Sequence, residues 1–569
     1  MAKKMFDVSQ NRLSYSELLQ PDFGYNLEFA VGLTYSLDLE ALLGVPISLG
    51  LLDEMDTSLR DNPFYLLEAI RKSSDKLCIF CNAGGISLPQ KIQSVYSLLE
   101  NSVFEVKLTN RQNFHPKLWL IEYRNNEGQA YIKLIVLSRN LTFDNSLDLA
   151  FEFKGEVGKA KRNKNLPLYD LLNFVNEFSD KSKSQKITAL AEDVLRVKNF
   201  DVTAPFDDYE FLPYGINKNR DDSLFEKCRE VFVVSPFLSD DIVNELTKAS
   251  GRKMLITRKT SITQNTFNRF DKVYITKDIL TDNEFGVKQD IHAKLYFTTG
   301  YDGNFLYIGS ANASHNAFYN NVEFLIKLKY APYQVSYDQF INDFIPDENN
   351  PFEEITAISD LGGATEDDSA KKAIKEAIYA IKGARVILSS VNYDVEINVG
   401  NLKTEKKIKI APLQKPNIFI PLQKPTLFKN LLLKELSEFY ILCVDDEKVV
   451  IKIETKNIPH DRDDAVYKGI INSKNAFLSY VTFMLSDNYS ESAYEQEQYL
   501  KLLDENTLNN ESSVCYSAVY EIMLRAISRN PNKLNEIADV IKRLDKDIIS
   551  DEFIEMYEQF QVVARRLKK

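Results

Sequence analysis

Histidine, tryptophan and cysteine are all scarce in this chain, with four, one and five copies in 569 residues. Five cysteines at this length do not make a disulfide framework. The one close pair, Cys78 and Cys81 in KLCIFCNA, has no second CxxC or CxxH to complete a four-ligand zinc site, and its surroundings read as a buried strand. No run reaches the roughly 18 apolar residues that a membrane helix needs. The first residues, MAKKMFDVSQNRLSYSELL, have two lysines but no apolar stretch behind them, so no secretory signal is expected there and the sequence reads as cytoplasmic. An excess of positive charge is missing too. The net charge is −12, with 40 basic and 45 acidic residues in 1–345 and 30 and 37 in the remainder. A protein that coats nucleic acid is disfavoured, and any phosphate-binding surface must be local.

What the chain does have is an internal repeat. His115-Pro-Lys117-LWLIEY is followed by IVLSRNLT, with Ser138 and Asn140, and then by DLAFEF, with Glu152. Further on, His292-Ala-Lys294-LYF is followed by LYIGSANAS, with Ser310 and Asn312, and then by NVEFLIKL, with Glu323. The order H-x-K, S-x-N, E recurs at offsets of 177, 172 and 171 residues, so the repeating unit has the size of a domain. Apolar, β-branched runs around polar turns (RNNEGQ and YDGN) predict a strand pair for each motif, with S-x-N at the end of the second strand. Segments such as LYDLLNFVNEF and DDIVNELTKA have helical spacing. Two of the four histidines therefore lie in ordered, duplicated surroundings. His315 reads as a helix-start residue and His460 as a surface residue.

The duplicated residues suit phosphodiester chemistry. One imidazole attacks phosphorus, a second protonates the leaving oxygen, and carboxylates orient both. Lysines and asparagines neutralise the non-bridging oxygens. Residues at i and i+2 of an extended segment share a face, so each H-x-K and each S-x-N projects as a pair. Two facing copies make one site.

These residues resemble the phospholipase D superfamily, whose motif runs H-x-K followed by G-S-x-N. The second copy matches fully. The first has Leu137 in place of the usual Gly and Arg139 between Ser and Asn. Five residues after each lysine, where the family often has Asp, stand Glu122 and Thr299. The resemblance covers about residues 30–330. It implies an α/β fold of two lobes with mixed β-sheets forming a pseudo-dimer, over 1–200 and 201–345. Composition predicts an acidic linker and helix over 346–383, a small β-rich domain over 384–458 and a helical region over 459–569. The resemblance also implies a nuclease working without metal or other cofactor through a phosphohistidine. His115 would be the nucleophile and His292 the acid, with Lys117, Lys294, Asn140, Asn312, Ser310, Glu152 and Glu323 completing the catalytic set. Bacterial two-motif relatives further imply a place in antiviral defence, with a helicase or other defence-system protein as partner, and no need for oligomerisation. Ser138, Arg139, Lys154, Lys159, Lys161 and Arg162, together with Lys164, are candidate contacts to a nucleic-acid backbone. Arg252, Lys253, Arg258 and Lys259 offer a second basic cluster. A lipid hydrolase, a repair enzyme like tyrosyl-DNA phosphodiesterase and a non-catalytic nucleic-acid-binding scaffold are the alternatives. Trp119 and Tyr123 are expected in the core.

Overall fold

The computed structural model describes residues 14–51, 62–109, 112–143, 146–216, 221–249, 251–277, 291–331, 333–345, 350–357, 369–485, 511–529 and 533–567. Strands β1 (Tyr25–Thr34), β2 (Leu77–Asn82), β3 (Val103–Val106), β4 (Leu118–Asn125), β5 (Ala130–Leu137) and β6 (Ala150–Glu156) form the first sheet, in the order β3-β2-β1-β4-β5-β6. The β1–β2 and β2–β3 pairs are parallel; the others are antiparallel.

The second sheet repeats this plan. It contains β7 (Phe206–Tyr214), β8 (Glu230–Val234), β9 (Lys253–Ile256), β10 (Lys272–Thr276), β11 (Leu295–Thr299), β12 (Asn304–Gly309), β13 (Glu323–Tyr330) and β14 (Phe352–Glu354), ordered β14-β10-β9-β8-β11-β12-β13-β7. Its inner six strands, β10 to β13, match β3 to β6 in order and in direction. The duplication seen in the motifs therefore extends to the topology. β14 comes from the segment expected to be linker; it adds to β10 as an edge strand.

Strands such as LWLIEYRN are apolar almost throughout because both faces of the sheet are covered. Leu118 and Leu120 face a core shared by the two lobes, which also takes in Phe153, Phe211, Phe232 and Phe324. Trp119, Ile121 and Tyr123 face a second core, completed by the helix Pro63–Ser73 and by the C-terminal helices Arg462–Ile470, Lys474–Leu485, Glu511–Arg529, Lys533–Arg543 and Asp551–Leu567. The helical region is thus packed onto the first lobe. Tyr480 Oη donates to the buried Glu68 carboxylate at 3.1 Å, and Arg71 bridges Glu68 to Glu536. Cys78 and Cys81 lie in opposite cores, and burial raises both thiol pKa values, that of Cys78 to about 12.

The β-rich unit is two four-stranded sheets. One orders β19 (Thr426–Leu431), β16 (Asn392–Val399), β15 (Ile381–Ser389) and β22 (Thr455–Lys456); the other orders β18 (Ile420–Pro421), β17 (Ile408–Pro412), β20 (Phe439–Val444) and β21 (Glu447–Lys452). Its first strand begins three residues ahead of the expected boundary at 384. Arg462 and Glu100 pair at 2.9 Å in the joint between this unit, the helices and the first lobe. Among the described residues, no helix is long and apolar enough to cross a membrane.

Candidate active site

Both H-x-K pairs lie in extended segments immediately ahead of β4 and β11, and both S-x-N segments begin immediately after β5 and β12. The motifs therefore sit at the strand ends, where side chains can leave the ladder. The ends of the two lobes meet through reciprocal bridges, Phe114 with Val322 and Leu147 with Ile291. His115 N donates to Val322 O at 2.9 Å, and His292 N donates to Leu147 O at 3.2 Å.

This exchange places each histidine next to the other lobe's acid. His115 Nδ1 lies 2.7 Å from Glu323 Oε2. That carboxylate is buried; it also accepts from Ser310 Oγ at 2.5 Å and from Asn321 Nδ2 at 3.2 Å. A carboxylate on Nδ1 makes that nitrogen the donor and leaves Nε2 as a lone pair. Burial lowers the pKa of His115 to about 4, with Glu323 opposing the shift and Lys117 adding to it, so at neutral pH the ring is an uncharged base. Lys117 Nζ sits 3.3 Å from Nε2 and donates to Asn140 Oδ1 at 2.6 Å. The Tyr35 ring leans on His115 at a centroid distance of 5.0 Å.

His292 is held less directly. Its Nδ1 is 3.2 Å from Ser146 Oγ, which donates to Asp148 Oδ2 at 2.7 Å. Ser138 Oγ donates to Asp148 Oδ1 at 2.9 Å and accepts from Leu149 N at 2.8 Å. In the second lobe Ser310 Oγ binds Glu323 and accepts from Phe324 N at 3.0 Å. Asp148 is therefore the counterpart of Glu323.

Glu152, assigned that role from spacing, is displaced from the site. It stands opposite Ile135 on β6 and pairs with Lys133 at 3.4 Å. The true correspondence is visible in the flanking residues: Leu-Asp148-Leu-Ala-Phe matches Val-Glu323-Phe-Leu-Ile, apolar–acid–apolar–apolar–apolar, once a three-residue insertion before Glu323 is allowed. Thr34 and Ser235 form another matched pair, outside the H-x-K and S-x-N motifs. Each hydroxyl reaches across to the S-x-N loop, accepting from Leu141 N at 3.0 Å and from Ala313 N at 2.9 Å.

Lys117 and Lys294 are both almost fully buried at the lobe junction. Lys294 Nζ donates to the His292 carbonyl at 2.5 Å. Asn312 is half-buried, and its Oδ1 has no hydrogen-bond partner among the described residues.

Other expected contacts lie elsewhere. Ser138 is fully buried beneath Asp148, where it positions the acid and cannot face substrate. Arg139 turns away, donating to Thr142 O at 2.9 Å and lying over the Tyr15 ring. The basic loop sits beyond the far end of β6. Ala150 opposes Leu137 beside the site and Glu156 opposes Tyr131, six residues and about 20 Å further along. Lys154 pairs with Asp22, Lys161 with Glu192 at 2.9 Å and Lys164 with Asp208 at 2.5 Å, while Lys159 and Arg162 are exposed in the same loop. Glu122, midway along β4, bonds Arg124, and Thr299, at the end of β11 remote from the site, bonds Glu230. In the second basic cluster, Arg252 pairs with Glu230 and Asp338, and only Arg258 approaches the site, donating to Ile291 O at 3.3 Å. His315 begins the short helix His315–Tyr319 and pairs with Asp241 at 2.6 Å, while His460 is exposed.

The Gly-to-Leu departure in the first motif falls at a ladder position where the two lobes differ. Gly309 faces Leu325 across the ladder, and a Cβ at Gly309 would lie 2.1 Å from Phe324 O. In the first lobe Leu137 faces Ala150, so the bulk has changed sides. Among the described residues, no group of three or more His, Cys, Asp or Glu could hold a metal ion.

No protein-family model matches this chain, and no curated protein sequence matches it. Among solved structures, yeast tyrosyl-DNA phosphodiesterase is similar at 13% identity, covering 53% of this chain and 83% of its own, with a TM-score of 0.33. A mutant of that enzyme aligns at 12% identity over 57% and 87%, with a TM-score of 0.37. Polyphosphate kinase from Porphyromonas gingivalis aligns at 12% identity over 53% of this chain and 40% of its own, with a TM-score of 0.30.

Proposed function

We propose that this chain is a phosphodiesterase of the phospholipase D type, cleaving nucleic acid through a phosphohistidine on His115. The observation that carries the reading is the inter-lobe His115–Glu323 pair, which fixes the ring with Nε2 as its acceptor nitrogen, facing Lys117 Nζ. Nε2 attacks phosphorus and the P–O bond to the leaving group breaks. The leaving oxygen takes a proton from His292, whose other nitrogen is held by Ser146 and Asp148. Water then gives its proton to His292 and attacks the phosphohistidine, breaking the P–N bond and restoring both histidines. Lys117, Lys294, Asn140 and Asn312 supply charge and donors for the non-bridging oxygens, so this mechanism calls on no metal.

The test is hydrolysis of labelled single- and double-stranded DNA and RNA in the presence of EDTA. Cleavage is expected to persist in EDTA and to be lost in His115→Ala and in His292→Ala. Complete dependence on added metal would sink the mechanism. Release of headgroup from lipid vesicles with nucleic acids left intact would transfer the reading to a phospholipase D-type lipid hydrolase. Including a 3′-tyrosyl oligonucleotide separates internal cutting from end repair. A role in defence against phage, beside a helicase in the cytoplasm, is the biological setting we attach to this activity.

A further inference from the structure

The helix Ser369–Ala380, at the entry to the β-rich unit, lies along the segment that leads into His115. Its residues Lys371, Lys375 and Tyr379 recur every four positions and so share one face. Tyr379 Oη donates to Thr109 O at 3.1 Å, Lys375 Nζ donates to Asn113 Oδ1 at 3.0 Å, and Lys371 acts electrostatically on Tyr35, the ring that leans on His115. At the far end Lys107 donates to the Ile378 and Ile381 carbonyls at 2.6 and 3.2 Å and lies over the Tyr379 ring. Lys382 Nζ reaches Tyr379 O at 3.3 Å. Lys107, Leu108, Thr109, Gln112 and Tyr379 line a surface pocket of about 510 Å³.

These cations differ from those of the loop beyond β6. There three of the lysines, Lys154, Lys161 and Lys164, pair with the acids Asp22, Glu192 and Asp208, while Lys159 and Arg162 stay exposed. Here the oxygens to which Lys107, Lys375 and Lys382 donate are neutral, and the one carboxylate that acts on Lys107, Glu105, does so through space without a hydrogen bond to it. Burial pulls the pKa of Lys107 and of Lys375 down, with Lys382 adding to the shift at Lys107 and Glu105 opposing it; an added phosphate would offset that cost.

We infer that this helix is one wall of the substrate groove. A single-stranded polynucleotide held at His115 runs along Lys371 and Lys375 into the Lys107–Tyr379 pocket, where a base stacks on Tyr379. From Lys371 to Tyr379 the helix rises about 12 Å, enough to follow more than one nucleotide. Cations tracking the backbone, with an aromatic platform for a base, are what sequence-tolerant single-strand binding requires. The inference rests on the phosphodiesterase reading and narrows its substrate to a polyanionic chain.

The test measures binding of a labelled 12-nucleotide single strand to the full-length protein by fluorescence anisotropy across a salt series. It compares wild type, the exposed-site variant Lys371→Gln, the pair Lys371→Gln/Lys375→Gln, and the pair Lys371→Arg/Lys375→Arg. Each lost phosphate contact lowers the slope of log affinity against log salt by about 0.7. The double glutamine variant is therefore expected to flatten the slope by about 1.4 and to raise Kd on the order of tenfold, with the single variant intermediate and the arginine pair near wild type. Thermal melting checks that each variant is folded, and Lys371→Gln alone decides the matter if the double variant is not. Equal Kd and slope in wild type and variants would overturn the groove wall. If the wild-type protein does not bind the strand but hydrolyses bis(p-nitrophenyl) phosphate, the nucleic-acid reading fails instead.

Discussion

The sharpest test of the site separates Asp148 from Glu152. Sequence spacing selects Glu152, whereas the structure puts Asp148 two hydrogen bonds from His292 and leaves Glu152 paired with Lys133. Asp148→Asn removes the charge behind Ser146. The Ser146 hydroxyl then loses its carboxylate acceptor, and the imidazolium form of His292 loses the partner that stabilises it. A hydrogen bond to a charged group contributes about 1.5–3 kcal/mol. At about 1.4 kcal/mol per tenfold, the variant should hydrolyse bis(p-nitrophenyl) phosphate about 10- to 150-fold more slowly in kcat. Glu152→Gln breaks a half-exposed ion pair worth about 0–1 kcal/mol of stability, and the rate should stay where it was. Rates and thermal unfolding are measured on both variants side by side. A larger rate loss in Glu152→Gln than in Asp148→Asn would refute the register-based assignment and the inter-lobe pairing built on it.

Four further outcomes follow from the same geometry. Glu323→Gln should reduce kcat more than Asp148→Asn does, because Glu323 contacts His115 directly and is fully buried; equal or smaller loss in a kinetic comparison would contradict the nucleophile assignment. With its pKa near 4, His115 stays unprotonated well below the ordinary histidine range, so the acid limb of kcat/KM should fall near pH 4 and not near 6.5. The sign for stability is opposite to that of a paired, charged histidine. The unfolded chain takes up the proton first, so the His115 contribution is neutral above about 6.5 and destabilising as pH falls towards 4, which unfolding of wild type and His115→Asn across that window would show. Gly309→Ala forces a Cβ against Phe324 O and should cost about 1–3 kcal/mol in chemical denaturation, whereas the same methyl is already present, and more, at Leu137.

The parts of the site legible in the sequence were those fixed by short-range spacing. H-x-K and S-x-N each place two side chains on one face within three residues, and the strands that carry them are read from apolar runs. The acid was not legible by the same rule, because its distance from Asn140 or Asn312 crosses a loop whose length differs between the copies. Spacing counts residues, but a β-ladder counts hydrogen bonds. Ser138 N to Leu149 O and Ser310 N to Phe324 O define the equivalent positions, and those bonds put Asp148 with Glu323. The basic loop departs from its expected place for a related reason: Lys154 to Lys164 follow the motif closely in sequence, yet β6 carries them away from it. The helix Ser369–Ala380 shows the converse, since it is more than 250 residues from His115 in the chain and one side chain from Asn113 in the fold.

The exchange of acids between lobes has a consequence that motif content alone does not carry. Each lobe holds a histidine, a lysine, an asparagine and a carboxylate, so each looks like half of a symmetric pair. Yet Glu323 serves the histidine of the first lobe, and Asp148 serves that of the second. The two histidines also differ: His115 has a buried acid in direct contact, and His292 has a half-exposed one behind a serine. A nucleophile needs one fixed, uncharged ring, whereas a residue that alternates between acid and base needs a partner that tolerates both states. The two sides of the duplicated fold differ in just these respects: Glu323 stands where the other side has Asp148, and Ser146 lies between acid and imidazole where Asn321 only braces its acid. Exchanging the two acids, Asp148→Glu with Glu323→Asp, retains every charge but disturbs both orientations. Intermediate trapping should then show less phosphohistidine on His115 than in wild type, and an unchanged yield would mean that the asymmetry of the acids does not set the roles.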